Sequence, residues 1–253
     1  MRQELDHHVN GAAAAANGRD SACRIYLVRH GRTVLNVEKR FRGRLEIPLD
    51  DTGRREALLA ARALADASLA AVYTSPLSRA REVALAIAGA AHAETILDHP
   101  GLLNLDYGAW EGLTKDECAR RDPEAWTLYR TEPERAWCPD GEALRAAADR
   151  VTDALAEIGA AHPGKAVAAV THGVMVRLAL LRVAPQPGDW DVPLDTGSAT
   201  VFEVRDGRVD LIAAQPGIAV NGKPKHLDPA ELLPRAMRGH APSWGTPPAA
   251  FAD

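Results

Sequence analysis

Cysteine is scarce in this chain: three in 253 residues, Cys23, Cys118 and Cys138. An odd count without a Cys-x-x-Cys pair excludes both a disulfide framework and a zinc ribbon, and it fits a reduced, cytoplasmic protein. Positive charge is not in excess either. With 30 Lys and Arg against 34 Asp and Glu, the formal net charge is −4, which argues against nucleic acid as the main partner. It leaves room for an anionic substrate, because the field inside a cleft depends on local arginines rather than on the total. Aromatic residues are 5% of the chain, and no basic residues interleave with them as a platform for stacking bases requires. Trp126, Tyr129 and Trp137 read instead as lid packing. No apolar run is long enough to span a membrane, and the alanine run 12–16, with Asp6, His7, His8 and Asn17 nearby, is too short and too polar in its flanks for a signal peptide. There is no internal repeat.

What is present divides into three stretches. Residues 1–22 lack apolar periodicity and read as a disordered leader, its adjacent histidines being tail residues rather than metal ligands. Residues 216–253 shift to Pro, Gly and Ala and read as a largely unstructured tail with a helical turn near Leu227 to Met237. Between them, residues 23–215 form the domain, and 46% hydrophobic residues supply an ample core.

That domain is organised around Arg24-Ile25-Tyr26-Leu27-Val28-Arg29-His30-Gly31-Arg32-Thr33. A run of β-branched, aromatic and aliphatic residues leads straight into Arg-His-Gly, the pattern of a buried strand that stops at a reactive loop. A histidine there lies outside the carboxyl end of a strand, where open α/β sheets place ligands. Gly31 lets a substrate approach the backbone beside the imidazole, and Arg29 offers a planar fork of donors to phosphate or carboxylate.

Further along, Phe41 to Leu49 has no regular period and reads as an irregular segment over the mouth of the site, with Arg42 and Arg44 either touching substrate or solvated. Thr52-Gly53 opens a helix with the small-residue face Ala57, Ala60, Ala61 and Leu64. Leu69 to Tyr73 is a strand, and Ser75-Pro76 leads into a helix whose first turn takes the proline and whose amino-terminal end carries Arg79, beside an anion-favouring helix terminus. A short strand is expected at 94–97 and an extended piece at 102–107, and Pro123 should split the helical stretch 114–131. Leu144, Ala148, Val151, Leu155 and Ile158 mark a long amphipathic helix within 141–161. Ala166 to Val170 reads as a central parallel strand that delivers His172-Gly173 to a second strand end, and Asp206-Gly207 should turn a hairpin. Alternating strands and helices call for a parallel-rich sheet covered on both faces.

Arg29, His30, Arg79 and His172 therefore come from three strand ends that one sheet can bring to one rim. Two permanent cations and two imidazoles in a small cleft suit a phosphoryl group, whose transfer asks mainly for positioning and charge stabilisation. Leu27-Val28-Arg29-His30-Gly31-x-Thr33-x-x-Asn36, followed by Tyr73-Thr74-Ser75-Pro76-Leu77-Ser78-Arg79-Ala80, Asp106-Tyr107-Gly108-Ala109-Trp110-Glu111-Gly112 and Val170-Thr171-His172-Gly173, resembles the signature of the histidine phosphatase superfamily, the phosphoglycerate mutase-like proteins. The resemblance implies a three-layer α/β/α fold with a mostly parallel central sheet and a lid excursion. It also implies His30 as nucleophile forming phosphohistidine, His172 as donor to the transferring group, Arg29 and Arg79 as its clamp and Asn36 as a neutral hydrogen-bond donor, with Gly31 and Gly173 beside the substrate. No metal or other cofactor is implied, and the partner is a small phosphorylated metabolite.

One position departs from the pattern. The superfamily's usual proton donor is a carboxylate four residues before the glycine of the Tyr-Gly pair, and here that place is Asn104, which is no Brønsted acid. Asp106, on the same side of an extended strand about 6.6 Å further along, is a substitute as readily as a structural residue. Three explanations stay open: Asp106 or another lid carboxylate such as Glu111 takes over, the leaving group needs little help, or the asparagine replaces a native acid. The leading expectation is a metal-independent phosphatase for a small phosphate monoester. The 142 positions separating His30 from His172 resemble the compact phosphatases more than the mutases. The alternatives are a phosphoglycerate mutase-type phosphotransferase and a phosphate-binding regulatory module with weak activity.

Overall fold

The computed structural model describes residues 21–185, Trp190 and 194–213, with a short backbone pairing of Ala219–Val220 to Lys223–Pro224. The expected leader, apart from its last two residues, and the expected tail, apart from that pairing, lie outside the described residues. A six-stranded sheet runs through the domain, comprising β1 (Cys23–Arg29), β2 (Leu69–Thr74), β3 (Ile96–Asp98), β4 (Ala166–Thr171), β5 (Ala199–Arg205) and β6 (Arg208–Ala213) in the order β3-β2-β4-β1-β5-β6. The first four of that order are parallel, and β5 runs antiparallel to both its neighbours, β1 and the edge strand β6. Among the helices are α1 (Val34–Val37), α2 (Asp51–Ala63), α3 (Ser78–Ala91), α4 (Lys115–Arg121), α5 (Pro123–Thr131), α6 (Leu144–Ala161) and α7 (Gly173–Val183).

Successive strand residues point to opposite faces, and both faces are buried here. Val28, Val72, Ala168 and Val170 pack against the small-residue faces of α2 and α3, including Ala57, Ala60, Ala61, Ala80 and Ala84. Their neighbours Leu27, Val167, Ala169 and Phe202 pack the other way, onto Leu144, Val151, Leu155 and Ile158 of α6 and Val174 and Leu178 of α7. This is the three-layer α/β/α arrangement, with the mostly parallel sheet in the middle.

Three local expectations are corrected. The helix after Pro76 begins two residues later, at Ser78, because the Glu46 carboxylate accepts from Ser78 N at 3.2 Å and from its hydroxyl at 2.6 Å and so fixes the first turn there. The long helix starts at Leu144 rather than Gly141, since Gly141 N donates to Cys138 O in a turn. Trp137 is 42% exposed and stands outside the lid's aromatic cluster, which Phe41, Tyr107, Trp110, Trp126, Tyr129 and Trp190 form instead. Pro123 does divide the lid helices α4 and α5. All three cysteines are free and buried, and among the described residues no helix is long and apolar enough to cross a membrane.

Candidate active site

The register that pairs Arg29 with Thr171 and Thr74 with Val170 ends β1, β2 and β4 at one level. His30 N donates to Thr171 O and Ser75 N to Val170 O, each at 2.9 Å. His30, Ser75 and His172 therefore leave three adjacent strand ends side by side. Two helices begin at the same rim: His172 is the N-cap of α7, and Arg79 is the second residue of α3. Helix N-termini turn free N–H groups and the positive end of the dipole towards this rim.

Both histidines are buried, and their rings meet edge-on with centroids 5.1 Å apart. His30 Nδ1 lies 2.6 Å from Gly31 O. A carbonyl only accepts, so the proton sits on Nδ1 and Nε2 keeps its lone pair. His172 Nε2 lies 2.8 Å from the Ser75 hydroxyl oxygen, which also faces Leu77 N at 3.4 Å. His172 thus meets Ser75 through Nε2 and leaves its other ring nitrogen, Nδ1, outside that contact. That Nδ1 is buried without a partner. Burial first, then the charge of Arg79, pushes both imidazoles well below 6.5, so both are neutral at pH 7.

A cavity of about 690 Å³ opens above His172, lined by Arg29, Arg42, Asn104, His172 and Arg177 among others, with His30 and Arg79 buried behind its lining. Arg29 Nη1 donates to Leu194 O. Arg79, wholly buried, donates to Leu45 O at 2.7 Å and Gly43 O at 2.8 Å. Burial, then the charges of Arg42 and Arg177, pulls Arg29 down to about 9; burial, then Arg42, pulls Arg79 down to about 10. Both stay protonated at neutral pH, and each lowers the cost of an anion between them. The Nε atoms of Arg29, Arg42 and Arg79 and Nδ1 of His172 are buried polar atoms without partners. Buried orphans of this kind are rare in folded proteins, and the guanidinium donors of Arg29 and Arg42 on the cavity wall, with Arg79 behind it, call for an oxygen-rich anion.

A sequence profile described as histidine phosphatase superfamily (branch 1) matches residues 25–215. The chain belongs to that superfamily. It is 35% identical over 161 residues to the metal-independent phosphoserine phosphatase of Arabidopsis thaliana, covering 63% of this chain and 68% of that one. It is 31% identical over 188 residues to phosphoserine phosphatase 1 of Hydrogenobacter thermophilus, covering 73% and 88%. The solved structure of Bacillus stearothermophilus YhfR superposes with a TM-score of 0.69 at 32% identity, over 81% of this chain and 98% of that one. Phosphatase or mutase chemistry on small phosphorylated metabolites goes with such relatives.

Within this member of the superfamily the remaining expected residues fall into two groups. Gly173 does touch the machinery: a Cβ there would sit 3.0 Å from Arg29 Nε, so glycine gives the guanidinium its path. Gly31 serves packing rather than substrate approach, because a Cβ would lie 2.3 Å from Gly53 O. Asn36 turns its amide oxygen to Thr33 N and Oγ1, at 2.9 and 2.8 Å, capping α1. Asp106 is occupied locally: Oδ1 accepts from Gly108 N at 3.0 Å and Oδ2 pairs with Arg44 at 3.1 Å. Glu111 accepts from Arg44 N at 2.7 Å. Arg44 is thereby held among lid carboxylates, while Arg42 lines the cavity.

Asn104 is buried in the cavity wall. Its Nδ2 donates to Gly43 O at 2.9 Å, an orientation fixed because a carbonyl cannot donate, and Oδ1 is left buried without a partner. Arg150 holds the segment in place, donating to Leu103 O and, in a fork, to Glu142. Ser75, Arg150 and Arg177 had no place among the expected site residues. Ser75 lay inside a quoted motif, and its signal was adjacency to a strand end; Arg150 and Arg177 lie inside helices, where nothing in the local pattern singles them out.

Proposed function

We propose that this protein is a phosphatase that removes a terminal phosphoryl group from a small organic phosphate through a phosphohistidine on His30, with guanidinium groups standing where other phosphoryl-transfer enzymes use magnesium. The observation that carries this reading is the neutral His30, with its lone pair on Nε2, set beside a neutral His172 and orphaned arginine donors. Nε2 attacks phosphorus in line and the leaving oxygen takes the bonding pair. Arg29, Arg79 and His172 Nδ1 stabilise the charge on the equatorial oxygens. Water then attacks the phosphohistidine, the P–N pair returns to Nε2, and inorganic phosphate departs. Splitting one displacement into two in this way is nucleophilic catalysis. The phosphoserine phosphatase names of two relatives support hydrolysis over mutase chemistry. The test is phosphate release from a panel of small organic phosphates, expected from the natural chain and abolished in His30→Ala. A His30→Ala protein with undiminished turnover ends the proposal.

A further inference from the structure

The lid leaves a specific gap. Expelling an alkoxide, about as basic as hydroxide, whose conjugate acid has a pKa of about 15.7, needs a proton donor at the leaving oxygen. Among the described residues that line the cavity, the only carboxylates are Glu38 and Asp116, both exposed. Glu38 is paired with Arg40. Asp106 and Glu111 are held by Arg44 and Gly108 N. Tyr107 and Tyr129 line it, but their hydroxyls bond each other at 3.0 Å, and burial makes both weaker acids than a free phenol. Asn104, the wall residue nearest in type, has no proton to give.

The same wall is rich in what an anionic leaving group needs. Arg42 lines the cavity with a buried Nε that has no partner, and its one side-chain hydrogen bond, to Arg40 O, is long at 3.4 Å. Arg177 lines the cavity with it. Beyond them Phe41, Trp126, Tyr129 and Trp190 supply an apolar wall. Resting on the phosphatase reading, we infer that the substrate class is an organic diphosphate: Arg29 and Arg79 hold the terminal phosphoryl group, Arg42 faces the inner phosphate, and the apolar wall takes the organic body. In the step, His30 Nε2 bonds to the terminal phosphorus and the P–O bond to the bridging oxygen breaks. The electron pair stays on that oxygen, and the organic monophosphate departs without needing a proton, since the second ionisation of such a phosphate lies near a pKa of about 6. Water then releases inorganic phosphate from His30, so the sum is diphosphate plus water giving monophosphate plus phosphate.

The test uses the full chain with the matched pair 2-phenylethyl diphosphate and 2-phenylethyl phosphate, neither needing a natural ligand to be known. General acid catalysis is worth about 10²–10⁴-fold, so kcat/KM for the diphosphate should exceed that for the monoester by at least about 100-fold. The products should be 2-phenylethyl phosphate and inorganic phosphate. Arg42→Gln should narrow the ratio about tenfold or more, the worth of a hydrogen bond to a charged group, and Arg42→Lys should restore part of it. Equal rates on the two compounds, release of 2-phenylethanol with pyrophosphate, or an unchanged ratio in Arg42→Gln with a wild-type thermal melt would each overturn the inference. Failure of the phosphatase reading looks different: no acid-labile phosphate on His30 from either the diphosphate or p-nitrophenyl phosphate.

Discussion

Replacing Asn104 with glutamate should convert a poor alkyl phosphatase into a good one. The carboxyl would stand in the cavity wall where Oδ1 now has no partner, and a general acid there is worth about 10²–10⁴-fold, or about 2.7–5.5 kcal/mol off the barrier. The cost is the Nδ2 bond to Gly43 O at 2.9 Å, about 0.5–1.5 kcal/mol of stability. Gly43 O keeps its bond from Arg79, so the loop over the site should hold. Aspartate is the weaker choice, because at the length of asparagine its proton would go to Gly43 O rather than to the leaving oxygen. Glutamate, one methylene longer, reaches past that carbonyl into a cavity of about 690 Å³. Burial favours its neutral form and the nearby arginines its charged form, so the gain should fade as pH rises through the new group's pKa. The assay is phosphate release from 2-phenylethyl phosphate, with p-nitrophenyl phosphate as a control whose leaving group needs little help. The expected result is a rise of about 100-fold or more on the alkyl ester and little change on the aryl one. If the natural chain already hydrolyses both at similar rates and Asn104→Glu adds nothing, the proton comes from elsewhere and the reasoning about Asn104 is wrong.

Asp106→Asn should leave turnover within about threefold and cost under about 1 kcal/mol, because the carboxylate holds a half-exposed ion pair and one turn N–H; a loss of two orders of magnitude in kcat would instead make Asp106 the acid. Ser75→Ala frees His172 to rotate, so kcat for p-nitrophenyl phosphate should fall about threefold to tenfold, the worth of one hydrogen bond, with the fold intact by circular dichroism. The two neutral histidines also set a pH dependence of stability. The unfolded chain binds protons below about 6.5 while the fold resists them, so stability is complete above pH 6.5. It falls as pH drops from there towards the depressed folded values, by up to roughly 1.4 kcal/mol per pH unit for each histidine. Denaturant melts at pH 7.5 and 5 should show this loss shrinking in a His30→Asn, His172→Asn double variant; an unchanged loss would mean that the imidazoles are not held neutral.

The fold was readable because its signals are local. Ala166 to Thr171 is apolar without alternation, as a strand buried on both faces must be, and the heptad-like spacing of Leu144, Val151, Leu155 and Ile158 is found on the buried face of α6. The strand-end histidines were readable for the same reason, as strand followed by His-Gly occurs twice. What could not be read is set by contacts between distant residues. The carbonyl of Gly43, 36 and 61 positions from its donors Arg79 and Asn104, decides which way both side chains face. Asp106 follows Asn104 by one strand repeat, yet Arg44 from the loop over the site takes its carboxylate. Gly31 carried the right residue for another reason, since the close neighbour is Gly53. Arg42 and Arg44 are two residues apart and indistinguishable in sequence, and only the path of the loop sends one to the cavity and the other to the lid carboxylates.

The most direct measurement is a rapid acid-free quench of the protein mixed with p-nitrophenyl phosphate, followed by peptide mapping of bound phosphate. The account predicts phosphate on the peptide containing His30, stable in alkali, lost in acid and absent from His30→Ala. Phosphate found on His172 instead, or turnover with no bound phosphate at any mixing time, would contradict it.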